Sequence, residues 1–193
     1  IEDYAVVGDT STMALIGKDG SVDWLCLPRF DSAACFAKLL GDEQNGRWQI
    51  VPNGWSKGVV KRTTRRYRPG SLVLETEWET DTGVVRLIDV MPPRDGHVDL
   101  IRRVEGVEGE VEMAMRWVVR FAYGKAIPWV RHIEDEDGNE GLFALAGPAA
   151  VILRGDVLPE PDPRGGYGAR GTRARQTARA SSRAQGSRRS TGS

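Results

Sequence analysis

A chain of 193 residues, 40% hydrophobic and 28% charged, has the profile of a globular domain and lies outside the fibrous and wholly disordered classes. No apolar run approaches the ~20 residues of a membrane-spanning helix, which predicts no membrane association. The formal net charge of zero conceals an asymmetry: 8 arginines face 2 acids after Leu158, whereas 19 bases face 25 acids before it.

The start of the chain carries neither an initiator methionine nor the pattern of a secretory signal, and a cytoplasmic location is the expectation. Two cysteines, Cys26 and Cys35, are too few for a disulfide framework and stand at no zinc-ligand spacing, so both are expected to be reduced and buried.

Taken in chain order, residues 11–17 and 21–27 are strand-like and are joined by Lys18-Asp19-Gly20, a link suited to positive φ; together they predict a hairpin. Ser32 then predicts the cap of a short helix over residues 33–40, with Phe36, Leu39 and Leu40 on one face and Gly41 ending it. In "SLVLETEWET", Leu72, Leu74, Thr76 and Trp78 alternate with Val73, Glu75, Glu77 and Glu79. In "EVEMAMRWVVRF", Val111, Met113, Met115, Trp117, Val119 and Phe121 alternate with mostly polar neighbours. A period of two predicts two long strands, each with one dry face.

Turn-forming pairs and triplets, among them Pro69-Gly70, Asp81-Thr82-Gly83, Glu108-Gly109 and Gly147-Pro148, separate the apolar runs into about ten strands. Many strands with one short helix predict an all-β fold, an antiparallel sandwich over residues 1–158. Beyond it, residues 159–193 hold no Val, Ile, Leu, Met, Phe, Trp or Cys, and such a segment cannot offset the entropy of ordering its backbone. A disordered basic tail is the expectation, and its composition also fits an out-of-frame reading of GC-rich coding sequence.

The stretch "SVDWLCLPRFDS", residues 21–32, is the most concentrated in chemistry. One reading is structural: Trp24 and Cys26 turn inward, Pro28 ends the strand, Arg29 pairs with Asp31 and Ser32 opens the helix. The other makes it a loop on a rigid scaffold that presents Trp24, Arg29, Phe30 and Asp31 to a ligand or another domain. Spacing alone leaves both open.

The basic run "KRTTRRYR", residues 61–68, accompanies no nucleic-acid-binding motif and reads as the solvated face of a strand. His97 and His132 lie in or beside turn-like segments without metal-ligand or Ser-His-Asp partners, so no metal site is expected.

The residues "IEDYAVVGDTSTMALIGKDGSVDWLCLPRFDSAACFAKLLGD", followed by "GRWQIVP", "RRYRPGSLVLETEW", "DVMPPRDG" and "PWVR", closely resemble the N-terminal, trehalase-like domain of bacterial glycoside hydrolase family fifteen, the glucoamylase and trehalase group. The likeness runs in order from Ile1 to about Val157, with one departure at Ala33, where that family often has proline.

The resemblance implies a β-supersandwich that precedes an (α/α)6 barrel carrying two catalytic glutamates, which would hydrolyse an α-glucoside with inversion and without a cofactor. No residue here inherits a catalytic role, and Asp9, Asp23, Asp31 and Asp89 are expected in turns, caps or ion pairs. The partner it implies is the barrel, with "LPRFDS" at the contact or the rim of its entrance. A free carbohydrate-binding sandwich is the alternative, although Trp48, Trp78 and Trp117 fall where burial is expected. If the family's sandwich continues past Val157, unpaired edges should make the chain self-associate.

Overall fold

The computed structural model describes residues 2–175. Among them are fourteen strands: β1 (Tyr4–Gly8), β2 (Met13–Gly17), β3 (Ser21–Cys26), β4 (Ala34–Phe36), β5 (Arg47–Pro52), β6 (Val60–Tyr67), β7 (Leu74–Thr80), β8 (Gly83–Val90), β9 (Ile101–Val118), β10 (Trp129–Glu134), β11 (Glu140–Ala146), β12 (Ala149–Arg154), β13 (Glu160–Pro161) and β14 (Tyr167–Arg175). All their pairings are antiparallel. The large sheet runs β1-β2-β3-β5-β9-β8-β7-β6, with β4 on β3, β14 on β9 and β13 on β14; the small one runs β10-β11-β12.

The large sheet curls until its first and last strands meet. Tyr67 of β6 accepts the Val6 N–H of β1 at 2.8 Å and donates to the Val6 carbonyl at 2.9 Å, while Arg65 Nη1 donates to the Ile16 carbonyl at 3.0 Å. Inside the curl lies one core, built from Ile50, Val51, Trp78, Val85, Leu87, Val111 and Met113. A second core lies against the small sheet: Val7, Ile16, Leu25 and Trp117 cluster with Leu142, Ala144 and Leu153.

Strand β9 reaches both cores because it runs for 18 residues at roughly 3.3 Å each. Glu108-Gly109, read from sequence as a turn, lies inside this strand. Gly109 takes φ +60 opposite Gly83, and a Cβ at either position would stand 2.2–2.3 Å from the other strand's carbonyls. The glycines mark a close backbone approach with a register slip, not a reversal.

The helix expected over residues 33–40 does not form. Ala34–Phe36 instead pair with β3, and only Lys38–Leu40 make a single 3-10 turn. The carbonyls a helix would use are taken elsewhere, since Cys35 accepts from the Arg120 N–H at 3.1 Å and Ala34 from the Tyr123 N–H at 3.3 Å. Ala34 to Ala37 are all buried while Leu39 and Leu40 are exposed, so the helical face read from sequence does not exist. An eight-residue helix has too few bonds to compete with such contacts.

The expectation of a structureless segment from residue 159 is corrected for residues 160–175, which form β13 and β14; β14 lies along β9 from Tyr167↔Trp117 to Arg175↔Glu110. Backbone pairing achieves this without a large apolar side chain apart from Tyr167, whose ring meets Trp117 edge-on at 6.1 Å. The rest of the expected tail, residues 176–193, lies outside the described residues. No helix among the described residues is long and apolar enough to cross a membrane.

Candidate functional site

Residues 27–33 connect β3 to β4, and Pro28 to Asp31 are exposed. The loop is nonetheless fastened on several sides. The Leu27–Pro28 peptide is cis, the Phe30 N–H donates to the Ser11 carbonyl at 3.0 Å, and the Ser32 N–H donates to the Arg29 carbonyl at 3.1 Å. Ser32 caps no helix; its Oγ accepts the Arg29 N–H at 3.1 Å.

From outside the loop, Arg94 supplies the strongest tie. Its Nε lies 2.6 Å from Asp9 Oδ2, and its Nη2 donates to the Pro28 carbonyl. Asp9 in turn accepts the N–H groups of Ser11 and Thr12 at 3.0 and 2.8 Å. Burial alone would raise the pKa of Asp9, but the guanidinium and the two amides outweigh it and hold the carboxyl below its ordinary value. One buried carboxylate thus joins the loops around residues 9, 28 and 94.

Arg29 and Asp31 form a forked pair, with Nε–Oδ1 at 2.8 Å and Nη2–Oδ2 at 3.3 Å. Their hydrogen bond and mutual charge raise Arg29 and lower Asp31. Both side chains stand in water, which screens the attraction. Phe30 between them is 56% exposed.

Trp24 belongs to a neighbouring patch rather than to this trio. Half-buried on β3, it covers Cys26, Ala34 and Ala37, and its ring lies 6.0 Å from that of Tyr123. Tyr123 was not legible as a site residue from sequence. It sits in a turn where Ala122, Tyr123 and Gly124 successively take φ of +51, +61 and +94, a strained run that non-glycine residues adopt only when their surroundings enforce it. The turn is held by paired backbone bonds between Phe121 and Ala126 at 2.9 and 3.0 Å. Beyond it, Ile127 and Trp129 are 74% and 65% exposed, and Leu39 and Leu40 are exposed on the segment hydrogen-bonded to this turn.

The domain therefore offers an exposed arginine–carboxylate pair with Phe30 between its members and, beside Trp24, a turn with exposed aromatic and aliphatic side chains. Such groups suit contact with another surface, because they bring large area at small entropic cost. Asp9, Asp23, Asp31 and Asp89 are all ion-paired, with Arg94, Lys38, Arg29 and Arg102. Wherever a carboxyl is displaced from its ordinary pKa among the described residues, it is displaced downward: Asp3, Asp9, Asp31, Glu75, Asp135 and Asp162. Among the described residues no three His, Cys, Asp or Glu side chains gather as metal ligands would. His132 lies on strand β10, beside the turn that begins at Asp135.

The sequence profile of the family described as trehalase-like, N-terminal, matches residues 1–155. The trehalase of Mycolicibacterium smegmatis is 38% identical over 142 residues, covering 64% of this chain and 20% of that protein. Trehalase 1 of Sulfolobus acidocaldarius is 32% identical over 159 residues, 82% of this chain and 26% of that protein. The trehalase of Thermoplasma volcanium is 27% identical over 143 residues, 72% of this chain and 22% of that protein. Relatives thus occur in archaea as well as bacteria, and no solved structure matches. The chain spans about a fifth of the length of the bacterial trehalase. It belongs to the trehalase-like N-terminal domain family.

Proposed function

We propose that this chain is the non-catalytic N-terminal domain of an inverting α-glucosidase of trehalase or glucoamylase type, which packs on a catalytic (α/α)6 barrel and shapes its entrance. The observation that carries this reading is the exposure of the large apolar and aromatic side chains Phe30, Leu40, Tyr123 and Trp129, of which Tyr123 is held on a left-handed turn. Side chains of this kind, large and apolar with little entropy to lose, are the ones that protein interfaces cover. An inverting glycosidase also needs one carboxyl kept protonated near neutral pH, and the displaced carboxyls here all move the other way. The unpaired, buried thiols of Cys26 and Cys35 fit a reducing, cytoplasmic setting within the same proposal.

The test joins this domain to the barrel portion of the mycobacterial trehalase and follows trehalose hydrolysis and co-purification. Arg29→Ala combined with Phe30→Ala should weaken association roughly tenfold, the size of effect that loss of one anchor produces. Unchanged association and activity would sink the reading, and so would glucoside cleavage by the chain alone.

A second reading, a carbohydrate-binding face, is favoured by one feature. A cleft of about 540 Å³ is lined by Arg47, Gln49, Trp55 and Arg116, and the Nε atoms of Arg47 and Arg116 are buried without an acceptor. Calorimetric titration with trehalose and malto-oligosaccharides decides it: measurable heat supports a sugar site, and none removes it.

A further inference from the structure

We infer that the edge of β9 over residues 110–117 is a strand-docking surface, and that residues 160–175 are its tethered occupant, exchangeable with the same segment of a second copy. On its other side this part of β9 already pairs with β5, from Arg47↔Val118 to Pro52↔Met113. The occupant converts it into an internal strand. Without it, the N–H and C=O groups of alternate residues along this stretch, Val111, Met113, Met115 and Trp117, would be left unpaired at an open edge, a ready template for another chain.

The grip of the occupant is mostly backbone. Only Tyr167, against Trp117, and Ala174, against the inner core, add apolar contact, and no residue of β14 up to Ala174 is fully buried. The register slips once, between Arg170 and Thr172, where Gly171 takes φ +86.

Charge selects the kind of strand. Glu110 and Glu112 lie opposite Arg175 and Arg173 in the ladder, and Arg173 Nη1 reaches Glu110 Oε1 at 3.0 Å. At the other end Arg116 binds Asp162 at 2.9 Å. The surface thus asks for an extended basic segment with an aromatic residue opposite Trp117 and a small one opposite Val111. Residues 160–175 supply that, although they lie beyond the residues matched by the family. A strand held by general features of the backbone is replaceable by its own duplicate.

The experiment keeps the full chain and introduces Ala169→Pro with Ala174→Pro, which removes two N–H groups that face β9. The amides of Val111, Met113, Met115 and Trp117 should then exchange with deuterium roughly a hundredfold faster, while β8 stays protected. A labelled peptide of residues 160–175 should bind this variant and not the unsubstituted chain. The variant should associate with rising concentration in sedimentation, and excess peptide should reverse the association. Retained protection of the Val111, Met113, Met115 and Trp117 amides, absence of peptide binding, or global unfolding with loss of β8 protection would each overturn the proposal; the last would make the segment an integral part of the core.

Discussion

Arg102 and Asp89 face each other across β9 and β8 with both side chains wholly out of water, Nε lying 2.8 Å from Oδ1. The guanidinium also donates to the carbonyls of Trp48 and Gly20, each at 2.6 Å, and lies 5.0 Å from the centre of the Trp48 ring. One cation therefore links β5, β8, β9 and the turn before β3.

Removing either partner strands the other charge, so Asp89→Asn and Arg102→Met should each cost about 3–5 kcal/mol in urea denaturation. The double substitution Asp89→Leu with Arg102→Met should cost clearly less than the two single losses together, since no charge remains buried. Additive losses would mean that the pair acts independently.

Gly20 sits beneath the same network. It takes φ +65, and a Cβ there would stand 2.1 Å from the Ile50 carbonyl oxygen and 2.9 Å from the Trp78 ring. Trp78 is fully buried, and its Nε1 donates to the Lys18 carbonyl in this turn at 3.2 Å. Gly20→Ala should lower stability by more than about 2 kcal/mol, because backbone conformation and packing are both violated. Thermal unfolding followed by tryptophan fluorescence measures it.

The local features of this fold were the legible ones. Period-two patterning located Trp78 and Trp117 in the core, and the Lys18-Asp19-Gly20 link marked the β2–β3 hairpin. Leu72 broke its pattern and is 53% exposed, while Glu75 is buried; Arg66 and Arg68, from the neighbouring strand and the residue after it, neutralise that carboxylate. What sequence concealed was set by distant partners. Residues 34–36 became a strand because β3 and the turn at residue 123 claim their backbone. Arg94 is 85 residues from Asp9, a separation at which no periodicity operates. The trio at residues 29–31 was visible as a loop, whereas the exposure of Tyr123 and Ile127 depends on left-handed backbone that no glycine announces at residues 122 and 123.

Asp135 gives the turn between β10 and β11 a dependence on acid. The Asn139 backbone N–H, then the Arg154 guanidinium and the Asn139 side-chain amide, pull its carboxyl down to about 2. The folded value lies below the ~3.9 of an unfolded aspartate. The contribution is therefore complete above about pH 4 and disappears as pH falls through about 2. Protection of the Asn139 amide should follow that course between pH 5 and 2, and Asp135→Asn should flatten it.

Burial pushes the Cys35 thiol up to about 12 and raises that of Cys26. Neither should react with a disulfide reagent at neutral pH in the folded chain, whereas both should react once denaturant opens the sheet. Prompt reaction of Cys35 in the native state would contradict its packing beside Leu25, whose carbonyl accepts its Sγ–H at 3.4 Å.

The seam between β6 and the β1–β2 hairpin is closed by a phenol bonded to β1 and a guanidinium bonded to β2, where a ladder would otherwise run. A girth fastened by two side chains can widen or narrow while every strand pair stays intact. Motion of the domain should begin along that line, and a neighbour pressing on it would meet compliance there and stiffness everywhere else.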